Sequence, residues 1–399
     1  MWQSIKNAYR QQPINWAGAV LLIFILTVYL STALAIAASC MLGLVWLTIK
    51  QYNKLPGILK NNATAAWALA LYICFFIGLG YSSAPSDEAF SVIRKYRELT
   101  FIPLIACFFT DDRTRLWAWR AFVVASVITL IGSYLMDLGL LDMNRHKSFS
   151  LKSRITHSIF IAFFMFYCGH KALDDNKNRI LYGIALLLGT YNLFFVVEGR
   201  TGQLVLMLLV PLFAGQRFGK KGLLCAMLAI ILFATLFIRF SDKLVRIQEG
   251  FANTLTYLNK TPEKQRSSMG RRYLLWENSA AIIAEKPLLG HGTGGFAEAY
   301  EQVVGNKKII SYNPHNEFLL IAAQLGLAGL CVYLGFLYSQ YRMSKILPDQ
   351  EKWLAQGMLL TLMTTSLFNS PFLDHTEGHW FAVMIPLCLS GDVILGKPT

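Results

Sequence analysis

Along most of this chain, apolar residues form long uninterrupted runs, separated by short clusters of charge. Such runs are too long for strands. Most match the ~20 residues that an α-helix needs to cross a bilayer. The pattern predicts spans near 15–31, 33–49, 64–82, 92–110, 117–138, 155–170, 180–197, 201–215, 222–240, 315–340, 353–370 and 379–395. The predicted fold class is therefore all-α, a polytopic membrane protein of about twelve transmembrane helices. The fourth span is the weakest, because Arg94, Lys95 and Arg97 fall in its first turns.

One stretch departs from this pattern. Residues 241–314 form a large polar loop between the ninth and tenth spans, within what otherwise reads as a single membrane domain, 1–399. Apolar positions recur near helical spacing over 242–258, 271–285 and 296–304. A turn-rich segment, Pro287 to Gly295, lies between the last two. The loop reads as a partly helical platform or lid on the membrane surface.

Composition agrees with the spans. Hydrophobic residues are 55% of the chain and charged residues only 15%, against roughly a quarter in soluble domains. The net charge of +14 would raise nucleic-acid binding in a soluble protein. Here the cations sit at helix ends, so no nucleic-acid partner is expected. The seven cysteines all lie in apolar runs without a CxxC, which leaves them as packing residues. Lys6, Arg10 and the later Ala33-Leu34-Ala35 resemble a signal peptide. The apolar stretch continues at once to Ile49, so two uncleaved helices are expected.

Charge also sets orientation. With the N-terminus in the cytoplasm, the inner segments carry eighteen Lys/Arg and the short outer segments eight. That bias predicts cytoplasmic N- and C-termini. The eight outer cations oppose the topology signal. Together with ten more in the long loop, they point to an anionic ligand on the outer face.

Three outer positions stand out. Arg200 lies in the tight turn Val197-Glu198-Gly199-Arg200-Thr201-Gly202, where glycines let backbone approach a ligand; an ion pair with Glu198 is the plainer alternative. Arg271 and Arg272 open a loop helix, and a guanidinium fork suits phosphate oxygens; a surface charge pair is the alternative. His315 follows Asn313-Pro314, a predicted N-cap and first helical residue. That would put the imidazole in the first turn, kept neutral as a general base, or alternatively in a capping role. His157, beside Arg154, is a weaker candidate for the same site; His291, His375 and His379 are also on the outer side. His375 and His379 are four residues apart, but no HExxH occurs and no metal site is predicted; the pairs Asp111-Asp112 and Asp174-Asp175 fall on the opposite side.

These residues resemble the O-antigen ligase family. Arg200 matches the family arginine before the loop. Arg272, in Ser-Met-Gly-Arg-Arg, matches the arginine within it, with Arg271 as the alternative register. His315-Asn316, nine residues, then Gly326-Leu-Ala-Gly329 matches the family histidine pattern, the most specific of the three. The resemblance implies the helical membrane glycosyltransferase (GT-C) architecture with a periplasmic loop in the bacterial inner membrane. It implies an undecaprenyl-pyrophosphate-linked glycan donor, a lipid A-core sugar hydroxyl as acceptor, and inverting transfer without metal or other cofactor. His315 would be the base, and Arg200 and Arg272 would hold the pyrophosphate. Arg154, and Arg145 beside it, are further candidates for the same anion. The apolar spans would hold the donor's tail among membrane lipids.

Rivals remain at the acceptor. An O-antigen polymerase or a protein O-oligosaccharyltransferase would use the same donor. The latter usually carries extra C-terminal sequence, and this chain ends soon after its last apolar run. A lipid-linked sugar transporter would predict internal repeats and mid-membrane charges, which the chain does not show.

Overall fold

A computed structural model describes residues 16–141, 150–240, 268–305 and 311–390. Among these the fold is entirely helical. The helices are α1 (Trp16–Leu30), α2 (Thr32–Thr48), α3 (Leu55–Asn61), α4 (Ala63–Leu79), α5 (Ser86–Tyr96), α6 (Glu98–Phe108), α7 (Asp112–Asp137) and α8 (Arg154–Asp174). They continue as α9 (Arg179–Tyr191), α10 (Arg200–Phe240), α11 (Ser268–Glu285), α12 (Phe296–Val304), α13 (Glu317–Ser344), α14 (Asp349–Phe368) and α15 (His375–Cys388). Among the described residues, four helical segments are long and apolar enough to cross a membrane: 112–137, 179–196, 200–232 and 317–344. A fifth arises if Thr32–Thr48 and Gln51–Asn61, bent by 77°, count as one. Large apolar side chains face outward on several helices, including Leu44, Ile77, Ile131, Leu187, Leu224 and Ile231. Such an apolar exterior suits a lipid solvent, and the chain is a multi-pass membrane protein.

Contacts between helix ends sort the molecule into two polar ends. At one end Lys152 donates to Thr32 (3.0 Å), Thr32 meets Thr376 (3.1 Å), and the Trp276 indole donates to the Pro314 carbonyl (3.1 Å). At the other, Lys54 donates to Thr110, Arg115 reaches the Ser390 carbonyl, and Arg217 forks onto Asp174 at 2.7 and 2.8 Å. Asp111 caps α7 there by accepting from the Thr114 N–H. The aspartates 111 and 174 are thus a helix cap and an ion-pair partner.

Several predicted spans change on inspection. The fourth is broken at Arg97 into α5 and α6, each of 11 residues. The first is amphipathic, with Arg94 and Phe90 exposed and Ala89, Ile93 and Tyr96 buried. The eighth and ninth spans are the two arms of α10, which breaks at Gly219 (φ 65°). A Cβ on Gly215 would lie 3.7 Å from Leu223 Cβ, a separation only a sharp turn allows. The seventh ends in a π-helical turn, Asn192–Val196. In the large loop, the 296–304 helix is present as expected, and the 271–285 helix runs from Ser268. The expected 242–258 helix and Arg145 lie outside the described residues.

The loop is fastened to a break in α13. Gly326 there has φ 65°, ψ −165°, which interrupts the helix and frees carbonyls of the preceding turn. The Pro287–Gly295 turn takes them up: His291 N–H donates to Ala323 O (2.9 Å) and Gly292 N–H to Gln324 O (2.8 Å). In return Leu327 N–H donates to Pro287 O (2.8 Å), and the Gln324 side chain accepts from Gly294 N–H (2.6 Å). Buried backbone polar groups must be paired somewhere, so the break and the turn need each other. Thr293 extends the seam to α4, donating to Phe75 O (2.6 Å). A small apolar core of Ile282, Phe296, Tyr300, Leu320 and Ala323 then glues α11 and α12 to the start of α13.

A Cβ at Gly326 would collide with the Leu288 carbonyl, on top of the left-handed backbone cost. We expect Gly326→Ala to destabilise the fold by at least ~2 kcal/mol. Gly43→Ala, in open space on α2, should be neutral or stabilising. Thermal unfolding in detergent, with proteolysis at the 287–295 turn, checks both.

Candidate functional site

The polar end that contains His315 also gathers the predicted arginines. The first is delivered by a close backbone approach. Gly199 and Gly202 pack against Ser158 and the Arg154 carbonyl, where any Cβ would clash. The Glu198–Arg200 turn therefore sits directly on the start of α8, whose N-cap is Ser153. Arg154 and Arg200, both exposed, emerge from adjoining backbone.

Arg272 comes from α11. Because the described helix runs from Ser268, Arg272 lies in its second turn rather than opening it. Burial, and then the charge of Arg200, push the Arg272 pKa below its ordinary value; no carboxylate counters them among the described residues. An arginine stays charged through such shifts. Arg200 is thus close enough to Arg272 for the two like charges to oppose each other. Arg271, next along, is exposed, and no contact joins it to this cluster.

His315 is held differently from the expectation. The N-cap of α13 is Asn316, whose side chain accepts from Leu319 N–H (3.0 Å), and the helix begins at Glu317. His315 stands just before it at φ 53°. Asn313 is not the cap: its side-chain oxygen accepts from His315 N–H (2.7 Å) and Ser370 Oγ (2.8 Å), a local turn that stabilises the left-handed backbone. That conformation costs a non-glycine residue on the order of 1 kcal/mol. His315 is exposed. Loss of hydration, then the charge of Arg272, push its pKa below the ordinary value; a hydrogen bond to the Asn369 side chain opposes them. The neutrality expected from the helix end thus has another cause.

Asn369 belongs to a polar chain that sequence reasoning missed. Its amide nitrogen donates to Glu377 Oε2 (2.9 Å), and Thr156 Oγ1 donates to Glu377 Oε1 (3.1 Å). Glu377 is 1% exposed. The signal was present in the polar turn Asn369-Ser370-Pro371 to Asp374–Glu377 between two apolar runs, which holds no Lys or Arg and so was passed over.

Other histidines have structural partners. His157 is fully buried and pairs with Asn192 (2.8 Å), which donates to Ser133; it does not line the site. His291 is buried and meets the Ile282 carbonyl (3.1 Å) inside the docked turn. His375 and His379 both face the buried Glu98 (2.9 and 3.3 Å).

The arrangement brings together two guanidiniums and an open, under-protonated imidazole. A family model described as O-antigen ligase matches residues 183–334. The matched segment contains Arg200, Arg272, His315 and the Gly326 break, but neither Arg154 nor Glu377. An uncharacterized protein of Haemophilus influenzae is 28% identical over 235 residues, 55% of this chain and 58% of that protein. A Rickettsia felis protein named "putative polysaccharide ligase" is 35% identical over 144 residues, 32% of this chain and 34% of its own. A Rickettsia conorii protein of similar name is 24% identical over 142 residues, with the same coverage. The chain thus spans between about a third and three-fifths of the relatives it matches.

Removing Arg272 removes one of the two influences that lower the His315 pKa. In Arg272→Ala the imidazole should therefore take its proton at higher pH than in the wild type. Histidine-labelled NMR titration, read by difference against His315→Ala, measures this without substrate. An unchanged midpoint would mean that Arg272 and His315 are not electrostatically linked.

Proposed function

We propose that this protein is an O-antigen ligase, a glycosyltransferase of lipopolysaccharide biosynthesis. It moves a glycan from undecaprenyl pyrophosphate to a sugar hydroxyl of the lipid A core. The observation that carries this reading is the clustering of Arg200, Arg272 and His315 at one polar end of an apolar helical body, within the segment that matches the family.

The chemistry follows from the charges. Breaking the bond between the anomeric carbon and phosphate leaves negative charge on a polyprenyl pyrophosphate. Arg200 and Arg272, held together against their mutual repulsion, stabilise that charge, with Arg154 and Arg271 as secondary donors. His315 accepts the proton of the attacking acceptor hydroxyl. The depressed pKa keeps its lone pair available near neutral pH. Attack from the face opposite the leaving group inverts the anomeric carbon. The apolar exterior holds the donor's lipid tail. In this reading twelve passes cross the bacterial inner membrane, both termini are cytoplasmic and the site is periplasmic.

The same donor chemistry would serve an O-antigen polymerase or a protein O-oligosaccharyltransferase; the three differ only in acceptor. A reconstituted reaction separates them, with polyprenyl-pyrophosphate glycan offered to rough lipopolysaccharide, to the same glycan donor and to a pilin. We expect product on lipopolysaccharide. Product only on the glycan or the pilin would replace the ligase reading.

His315→Ala should lower kcat by ~10²–10⁴-fold, the usual worth of a positioned base, while the protein still inserts. Arg200→Lys and Arg272→Lys should each lower activity by at least ~10-fold, since a point charge does not reproduce the guanidinium fork. Wild-type rates in both lysine variants would remove the pyrophosphate role.

A further inference from the structure

We propose that the side chains of Leu288 and Leu289 lie among the acyl chains of the membrane, so that the Pro287–Gly295 turn is where the large loop enters the bilayer. The sequence pattern places this turn in a polar loop, outside every predicted span.

Exposure and backbone pairing both set it apart from a surface turn in water. Leu288 is 70% exposed and Leu289 58%. Scattered apolar side chains are common on surfaces, but two adjacent leucines on a firmly docked turn form a patch with no partner in the protein. The backbone is paired as an apolar solvent requires. Irregular chain at membrane depth persists only when its polar groups find partners within the protein. Pro287 has no N–H. The carbonyls of Pro287, Leu288 and Leu289 accept from Leu327 N–H (2.8 Å), Ala328 N–H (3.2 Å) and the Tyr81 hydroxyl (2.8 Å). Gly290 N–H donates to Lys286 O (3.0 Å) and Thr293 N–H to Gly78 O (3.1 Å), while His291, Gly292 and Gly294 donate to α13. In water, solvent would serve the same groups.

The surface on either side identifies what covers the leucines. Beyond the Gly326 break, α13 exposes Leu327, Cys331, Leu334 and Tyr338, at steps of four, three and four. That spacing is one helix face, on a segment apolar enough to cross a membrane. The stripe starts at Leu327, the residue whose N–H is bonded to Pro287. On α4, Ile73 and Ile77 are exposed four residues apart, and Tyr81 continues the line to the hydroxyl that holds Leu289. Leu288 and Leu289 therefore join two lipid-facing stripes where they end, and the acyl chains that cover the stripes cover the leucines too. Glu285 and Lys286, both exposed, come immediately before the turn. They mark the headgroup level, where a lysine stem can run along apolar surface with its amine in water, and where a tyrosine such as Tyr81 is at home. The bilayer thus holds from outside the turn that the α13 break holds from inside.

Spin labelling of the full chain in phosphatidylcholine–phosphatidylglycerol vesicles tests this. The exposed Cys40, Cys225 and Cys331 are first changed to Ala, and that background, treated with label, supplies the blank. Nitroxides are then introduced through Leu288→Cys, Leu289→Cys, Leu334→Cys on the lipid-facing stripe, and Tyr312→Cys, an exposed position three residues before His315. Collisions with dissolved oxygen, which concentrates among acyl chains, are compared with collisions with a water-soluble nickel chelate present on both sides. The oxygen-to-nickel ratio at 288 and 289 should be several-fold higher than at 312 and approach that at 334. A ratio equal to that at 312 would place the turn in water and overturn the proposal. Labels shielded from both reagents, or spin–spin broadening between copies, would mean that protein covers the leucines, which also overturns it. Both side chains are exposed, so cysteine leaves the packing intact; if one variant does not accumulate, the other decides. No substrate is involved, so the result is independent of the transfer reaction.

Discussion

The hydrogen bonds between the Pro287–Gly295 turn and the broken helix α13 hold this site in register. The break at Gly326 strands backbone carbonyls in a place where no water would satisfy them, and the turn supplies the missing N–H groups. Once the turn is seated, α11 and α12 must lie against the start of α13, and their apolar faces close over Leu320 and Ala323. From that position Trp276 reaches the Pro314 carbonyl, and Arg272 comes close enough to depress the His315 pKa. The segment around Arg272 is thus fixed relative to His315. Gly326 of the Gly-x-x-Gly pattern serves this seam.

The second constraint is electrostatic. Arg200 arrives from a glycine turn pressed onto α8, and Arg272 from the docked loop. Nothing in their shared chemistry favours proximity, since each charge opposes the other. Packing elsewhere holds them. His315 gains from the same field: a nearby guanidinium disfavours imidazolium, which suits a group that must begin its task unprotonated.

Much of this was legible in the residues. The apolar runs marked the helices, and the 296–304 helix and the Arg200 turn sit where periodicity and glycine placement put them. The His-Asn and Gly-x-x-Gly pattern singled out His315 and the break without revealing why the glycine was needed. What stayed hidden depended on contacts between distant segments. The true cap, Asn316, follows His315 rather than preceding it, because Asn313 is used by the local turn and by Ser370. The break at Arg97 falls where charge interrupts an apolar run, so length alone misread it. His157 looked like a site residue from its place beside Arg154, yet its side chain points inward to Asn192. Asn369 and Glu377 escaped because their turn holds no Lys or Arg, and Glu377 meets Thr156 more than two hundred positions away.

The central claim is that a pyrophosphate sits between Arg200 and Arg272, within reach of His315. A structure of the protein in lipid nanodiscs with undecaprenyl pyrophosphate tests it most directly. The account predicts diphosphate density forked by both guanidiniums, with the polyprenyl tail running down the apolar exterior. Density at the opposite polar end, near Arg217 or Arg115, would contradict it.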